Sequence, residues 1–67
     1  MNESLMTGRN YRPIDSRYIK NPLQAFKFVK NGATLYDLVV GDDCFTWVFN
    51  RAETAELNDL WCRHLLV

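Results

Sequence analysis

One histidine, His64, and two cysteines, Cys44 and Cys62, are all that this chain offers to soft metals or to thiol chemistry. Cys62 and His64 stand two apart on a predicted helix and project about 200° from each other, and there is no Cys-x-x-Cys pair. That spacing argues against a zinc-type site. No glycine-rich phosphate loop and no strained nucleophile turn is present, and Asp42 and Asp43 are adjacent turn residues, far short of the oxygen ligands calcium needs. The reading is therefore of a chain that is not an enzyme, with no catalytic residue, cofactor or metal. A secretory apolar segment after Met1 is missing too, as is any apolar run long enough to span a bilayer. A cytoplasmic protein with free thiols is expected.

Net charge is likewise absent, but the zero hides an asymmetry. Residues 1–33 carry six basic residues (Arg9, Arg12, Arg17, Lys20, Lys27, Lys30) against Glu3 and Asp15, a net +4. Residues 34–67 carry Arg51 and Arg63 against six acidic residues, a net −4. Such a chain is an electrostatic dipole unless folding interleaves the two halves. What is plentiful is apolar surface: 48% of the 67 residues are hydrophobic and 13% aromatic, which suits one small domain with a real core and excludes disorder.

The segment before Tyr11 shows neither a helical nor a strand period, and residues 1–10 read as a flexible N-terminus to a single domain over 11–67. Pro13 limits Tyr11 to Ile19 to a short edge strand. The stretch "NPLQAFKFVKNGA" then predicts a helix from Pro22 to about Asn31. Asn21 is its N-cap, Pro22 its first residue, Gln24 completes a capping box, and Gly32 supplies a left-handed C-cap. Thr34 to Val40 and Cys44 to Phe49 predict a hairpin around Gly41, Asp42 and Asp43, a composition suited to positive φ angles. Asn50 with Glu53 predicts a second capped helix reaching about Leu66, with Ala52 and Ala55 approaching the sheet and Thr54 in solvent.

The expected fold class is α+β: a compact single domain, helix-strand-strand-helix, with a short N-terminal edge strand as an option. Both helices share one sheet face. The residues assigned to its core are Phe26, Val29, Phe45, Trp47, Leu57 and Trp61. Strict alternation puts Tyr36, Leu38 and Val40 on one face of the first hairpin strand and Leu35, Asp37 and Val39 on the other.

The pattern "NPLQAFKFVKNGATLYDLVVGDDCFTWVFNRAETAELNDLW" resembles a family of short bacterial, phage and mobile-element proteins classed as a domain of unknown function. The resemblance covers Asn21 to about Trp61. It rests on core and punctuation residues: Ala25 and Phe28 before Gly32, the Leu35 to Val39 strand, "FTWVF", and Leu57 with Trp61. It implies a phage or integrated-element origin and a bacterial host cell, and it carries over no catalytic residue.

Two surfaces remain as candidates. The basic, tyrosine-containing run Arg9, Tyr11, Arg12, Arg17, Tyr18, Lys20, Lys27 and Lys30 suits phosphate tracking and base stacking, which defines a nucleic-acid-binding accessory protein as the alternative function. The hairpin face left uncovered, drawn from Leu35, Tyr36, Leu38, Val39, Val40 and Val48, is a large apolar patch for a monomer. A protein partner or a second copy in a homodimer would bury it. The leading expectation is a small non-enzymatic interaction module of phage or mobile-element type that binds a protein and modulates a host enzyme or defence complex. The two readings part on salt, because phosphate binding weakens steeply as salt rises and apolar docking does not.

Overall fold

In a computed structural model, which describes residues 2–67, the chain runs β1 (Asn2–Glu3), β2 (Asn10–Tyr11), a 3-10 turn (Pro13–Asp15), β3 (Ser16–Ile19), α1 (Pro22–Lys30), β4 (Leu35–Val40), β5 (Phe45–Asn50) and α2 (Ala55–Cys62). The class is α+β, with two helices and two antiparallel sheets: β1 with β2, and a three-stranded sheet in the order β3-β5-β4. The predicted helix-strand-strand-helix order is preceded by three strands. No helix among the described residues is long and apolar enough to cross a membrane.

The punctuation residues act largely as their chemistry dictates. Asn21 Oδ1 accepts from the amides of Leu23 and Gln24, Pro22 opens α1, and Gly32 follows the helix at φ +90°. The other half of the capping box does not form, because Gln24 is buried and its amide donates to Asn58 Oδ1 on α2, 3.3 Å away. Asn50 Oδ1 accepts from the Glu53 amide at 2.7 Å, but the Glu53 carboxylate turns to Thr34, and the regular helix begins only at Ala55. Gly41 is not at positive φ. It provides room instead, since a Cβ there would stand 3.1 Å from the Cys44 carbonyl.

α2 stops earlier than the predicted Leu66. His64 adopts φ 59°, the Leu65 amide donates to the Leu60 carbonyl and the His64 amide to that of Trp61. This is a Schellman turn with histidine in the place glycine usually takes. It redirects the tail so that Leu66 enters the core, where its carbonyl accepts from Lys27 Nζ at 3.0 Å, while Leu65 stays exposed.

The core is Ile19, Ala25, Phe28, Phe49 and Leu66, with Leu35, Trp47, Leu57, Leu60 and Trp61 packed around it. Phe28 and Phe49 meet edge to face, with ring centroids 5.4 Å apart. Of the predicted core, Leu57, Trp47 and Trp61 are partly buried, whereas Phe26, Val29 and Phe45 are exposed. α1 follows β3 after only Lys20 and Asn21, and this short link turns Gln24, Ala25 and Phe28 toward the sheet in place of Phe26 and Val29. Phe45 is exposed because β3 pairs with β5 only as far as Trp47, so the end of the β4–β5 hairpin overhangs the sheet.

Two further corrections concern the start of α2. Thr54 is fully buried: its hydroxyl donates to the Asn50 carbonyl at 2.7 Å and accepts from Arg17 Nε at 3.0 Å. Ala52 and Ala55 face outward, since that turn is held by the Thr54 hydroxyl and not by contact of the alanines with the sheet.

Candidate interaction surface

A bulge in β4 decides which side chains reach which face. Leu35 lies opposite Phe49 and Asp37 opposite Val48, so Tyr36 is the extra residue. Beyond it Leu38 faces Trp47, Val39 faces Thr46 and Val40 faces Phe45. Directly opposed residues share a face, so Leu35, Leu38 and Val40 lie with the aromatic row on the helix side, and Asp37 and Val39 with Val48 on the other. Strict alternation separates Leu35 from Leu38; the extra residue reverses that.

The second face is not open. The segment predicted as a flexible N-terminus folds over it, with Met1 lying outside the described residues. Ser4 organises this segment. Its Oγ accepts from the amides of Met6 and Thr7, its carbonyl accepts from the Gly8 amide, and its own amide donates to the Arg9 carbonyl at 2.9 Å. Gly8, at φ +72°, provides the left-handed residue that such a tight return requires. The turn brings β1 against β2 and places Ser4 and Tyr11, both buried, over Asp37.

Asp37 is a buried carboxylate on an otherwise apolar strand. Ser4 Oγ donates to its Oδ1 at 2.6 Å, Tyr11 OH to its Oδ2 at 2.6 Å, and the Leu38 amide to Oδ1 at 2.8 Å. Burial is the largest single influence and favours the protonated acid, but the three donors together outweigh it and hold the carboxyl below its usual range. The hydrogen bond to Asp37, then burial, pushes the Tyr11 phenol up to about 12. The Tyr11 ring stacks on Tyr36 at 5.9 Å, and the Leu35 and Tyr36 carbonyls accept from Arg9 Nη1 and Thr7 Oγ1. This lock fixes the N-terminal turn beside β4.

Of the predicted apolar face, Val48 is fully buried under this segment, Leu35 packs on the helix-side core, and Tyr36 and Leu38 are half-buried. Val39 and Val40 remain exposed, Val40 by 66%. They are joined by residues outside that prediction: Leu5 and Met6 at the tip of the N-terminal turn, 97% and 64% exposed, and Phe45 across from Val40. Glu3, Leu5, Met6, Leu38 and Val39 line one groove of roughly 320 Å³, and Val40, Phe45 and the Gly41–Cys44 turn line the next. Along the groove β4 is an edge strand, with no strand on its outer side among the described residues. The signal for Leu5 and Met6 was present in the sequence as two apolar residues inside a Ser4-to-Gly8 turn, where a core role is excluded by the turn itself.

The basic run does not gather into one track. Tyr11 is buried, Arg12 pairs with Asp15 at 2.6 Å, and Arg9 is engaged by a β4 carbonyl. Arg17 is held by Thr54 and by the Arg51 carbonyl, and Lys27 by the Leu66 carbonyl while lying 5.6 Å over the Trp61 ring. Tyr18, Lys20 and Lys30 are exposed. Cys44 lies in the hairpin turn and Cys62 at the end of α2, both exposed and free. Among the described residues the two ion pairs, Arg12–Asp15 and Arg63–Asp59, each stay within one half of the chain, so no direct pair cancels the charge asymmetry.

Set beside protein-family models, curated proteins and solved structures, the chain matches none of them.

Proposed function

We propose that this chain is a non-enzymatic interaction module, of phage or mobile-element type, that binds an extended segment of a partner protein along the free edge of β4. What supports this reading above all is that β4 beyond Leu38 has no strand on its outer side among the described residues and carries exposed Leu5, Met6, Val39 and Val40 beside it. A free edge presents unpaired N–H and C=O groups, and strand addition uses them for affinity while alternate side chains enter neighbouring grooves. Glu3 on the groove and Asp42 and Asp43 at the hairpin turn give the surface an acidic rim. The partner segment therefore alternates apolar anchors with basic residues. Occupation of the edge, and not chemistry, is how such a module alters a host enzyme or defence complex.

The test is selection of binders from a random peptide library, followed by amide hydrogen exchange of the complex. Enriched peptides alternate apolar and basic residues and protect the outward amides of β4 beyond Leu38, whose own amide is held by Asp37. Replacing Leu5 and Val39 together by aspartate weakens them at least about tenfold while stability changes by about 0.5 kcal/mol, as for surface sites. Peptides that bind without protecting β4, or that ignore the double substitution, overturn the reading. A chain that self-associates through the same protected amides replaces the foreign segment with a second copy.

A further inference from the structure

At the end of the sheet opposite the Gly41–Cys44 turn, a second cleft opens where β3 begins and β5 ends. Its volume is roughly 450 Å³, and Ile14, Asp15, Arg17, Asn50, Arg51 and Ala52 line it, with Tyr36 and Ala55. That is the size of a small-molecule site.

The charges in the cleft do not balance. Arg12 pairs with Asp15, at 2.6 Å from Nη2 and 2.7 Å from Nε to the same oxygen. Arg17 bonds only neutral oxygens, Thr54 Oγ1 at 3.0 Å and the Arg51 carbonyl at 3.4 Å, which fix its guanidinium and leave further N–H donors unused. The Arg51 guanidinium has no hydrogen-bond or ion-pair partner among the described residues. Its backbone is nonetheless held, because its amide donates to the Asp15 carbonyl at 2.8 Å. Arg17 on β3 and Arg51 in the turn after β5 thus share a cleft whose one carboxylate, Asp15, is already paired with Arg12. The Asn50 amide donates to Tyr36 OH at 2.6 Å, which orients both groups at the cleft wall. Ile14, 73% exposed, and the outward Ala52 and Ala55 provide the apolar part of the lining.

We propose that this cleft binds a small organic phosphate monoester, with the phosphate between Arg17 and Arg51 and the organic group against Ile14, Ala52 and Ala55. The match is one of charge and shape. A phosphate monoester carries nearly two negative charges at neutral pH, answering two unmatched guanidiniums, whereas a carboxylate answers one. Planar guanidinium forks suit phosphate oxygens in two-point contacts. The site stands apart from the β4 edge and does not depend on what binds there.

Phenyl phosphate, inorganic phosphate and benzoate are the probes, titrated at constant ionic strength into isotope-labelled protein while arginine Nε and backbone signals are followed by NMR. Phenyl phosphate gives saturable shifts confined to Arg17, Asn50, Arg51 and Ala52, binds at least about tenfold more tightly than benzoate, and binds more tightly than inorganic phosphate. Arg51→Gln leaves the spectrum folded, since its backbone amide is untouched, and weakens phenyl phosphate at least about tenfold. Ala52→Glu, at an exposed position, abolishes binding by placing a carboxylate in the cleft. Shifts that do not saturate, benzoate binding as tightly as phenyl phosphate, or an Arg51→Gln effect within about twofold each overturn the proposal.

Discussion

The two faces of the three-stranded sheet are built from different interactions. On the helix side, Phe28, Phe49, Ile19, Ala25 and Leu66 are packed against one another and half-buried Trp47, Leu57 and Trp61 close the margin. On the other side a segment of ten residues lies over Val48 and is tied down by hydrogen bonds from Ser4 and Tyr11 to one carboxylate, and by two bonds to β4 carbonyls. Burial of apolar area is non-directional and tolerates small shifts, whereas a buried carboxylate is favourable only while its donors stay in place. The helix face therefore decides whether the chain folds. The N-terminal face decides how Leu5 and Met6 are presented beside β4, and it is the face from which local opening should start.

The largest effect belongs to Phe49, fully buried and the central ring of the helix face. Phe49→Ala removes the edge-to-face contact and leaves a cavity no neighbour can fill, at a cost of about 3 to 5 kcal/mol. For a domain of 67 residues that is a large part of total stability. Chemical denaturation monitored by circular dichroism should show the variant largely unfolded without denaturant. A variant that unfolds cooperatively with a loss under about 1 kcal/mol would remove the distinction between the faces. Trp47→Ala should cost less than Phe49→Ala, because Trp47 is only half-buried.

The second effect tests the other face. Asp37→Asn keeps the shape of the side chain but removes the charge that receives Ser4 and Tyr11, and hydrogen bonds to charged groups contribute about 1.5 to 3 kcal/mol. A loss of about 2 kcal/mol is expected, with faster amide exchange at residues 2–11 and the helix amides little changed. Equal acceleration in α1 and in the N-terminal segment would mean that the two faces open as one unit.

These features were unequally legible. Asn21-Pro22, Gly32 and the apolar hairpin strands were readable because cap and strand chemistry is local, acting within three or four residues. The extra residue at Tyr36 left no mark, since no residue type is required there, and with it went the faces of Leu35 and Leu38. The orientation of α1 was set by the two-residue link from β3, and a stripe of six apolar residues around nine positions does not reveal which third of it is buried. Asp37 lay in a run of apolar residues with partners 33 and 26 positions away, and no local pattern announces a contact of that range. Val39 and Val40 of the interaction surface were readable as exposed strand residues; for Leu5 and Met6 the one signal was their place between Ser4 and Gly8, because the two-residue strands on either side leave no period.

The smallest effect is the most diagnostic for the lock, and it depends on pH. The Tyr11 phenol is raised from its ordinary 10.0 to about 12, so the folded chain holds the proton that the unfolded chain releases near 10. The stability this contributes is complete below pH 10 and is lost between about 10 and 12. Asp37 runs the other way: its folded value lies below the ordinary 3.8, so its contribution is complete above that value and is lost as the pH falls below it. Tyr11→Phe keeps the ring on Tyr36 and removes only the phenol, while Ser4 and the Leu38 amide still serve the carboxylate. It should cost about 1.5 kcal/mol near neutrality, the low end for a hydrogen bond to a charged group, because two donors to the carboxylate remain. Above pH 10 the deficit relative to the parent chain should shrink, because the parent loses what the variant never had. Below pH 4 the deficit should shrink again, because the parent, whose Asp37 carboxyl is held lower by one more donor, loses more stability on acidification than the variant does. Urea unfolding of both chains across this range gives the difference directly, and exposed groups that titrate in both cancel in it. A difference that stays constant from pH 9 to 12 would mean that Tyr11 does not donate to Asp37 in solution, and the N-terminal turn would then be held over Val48 by packing alone, which would make the two faces alike.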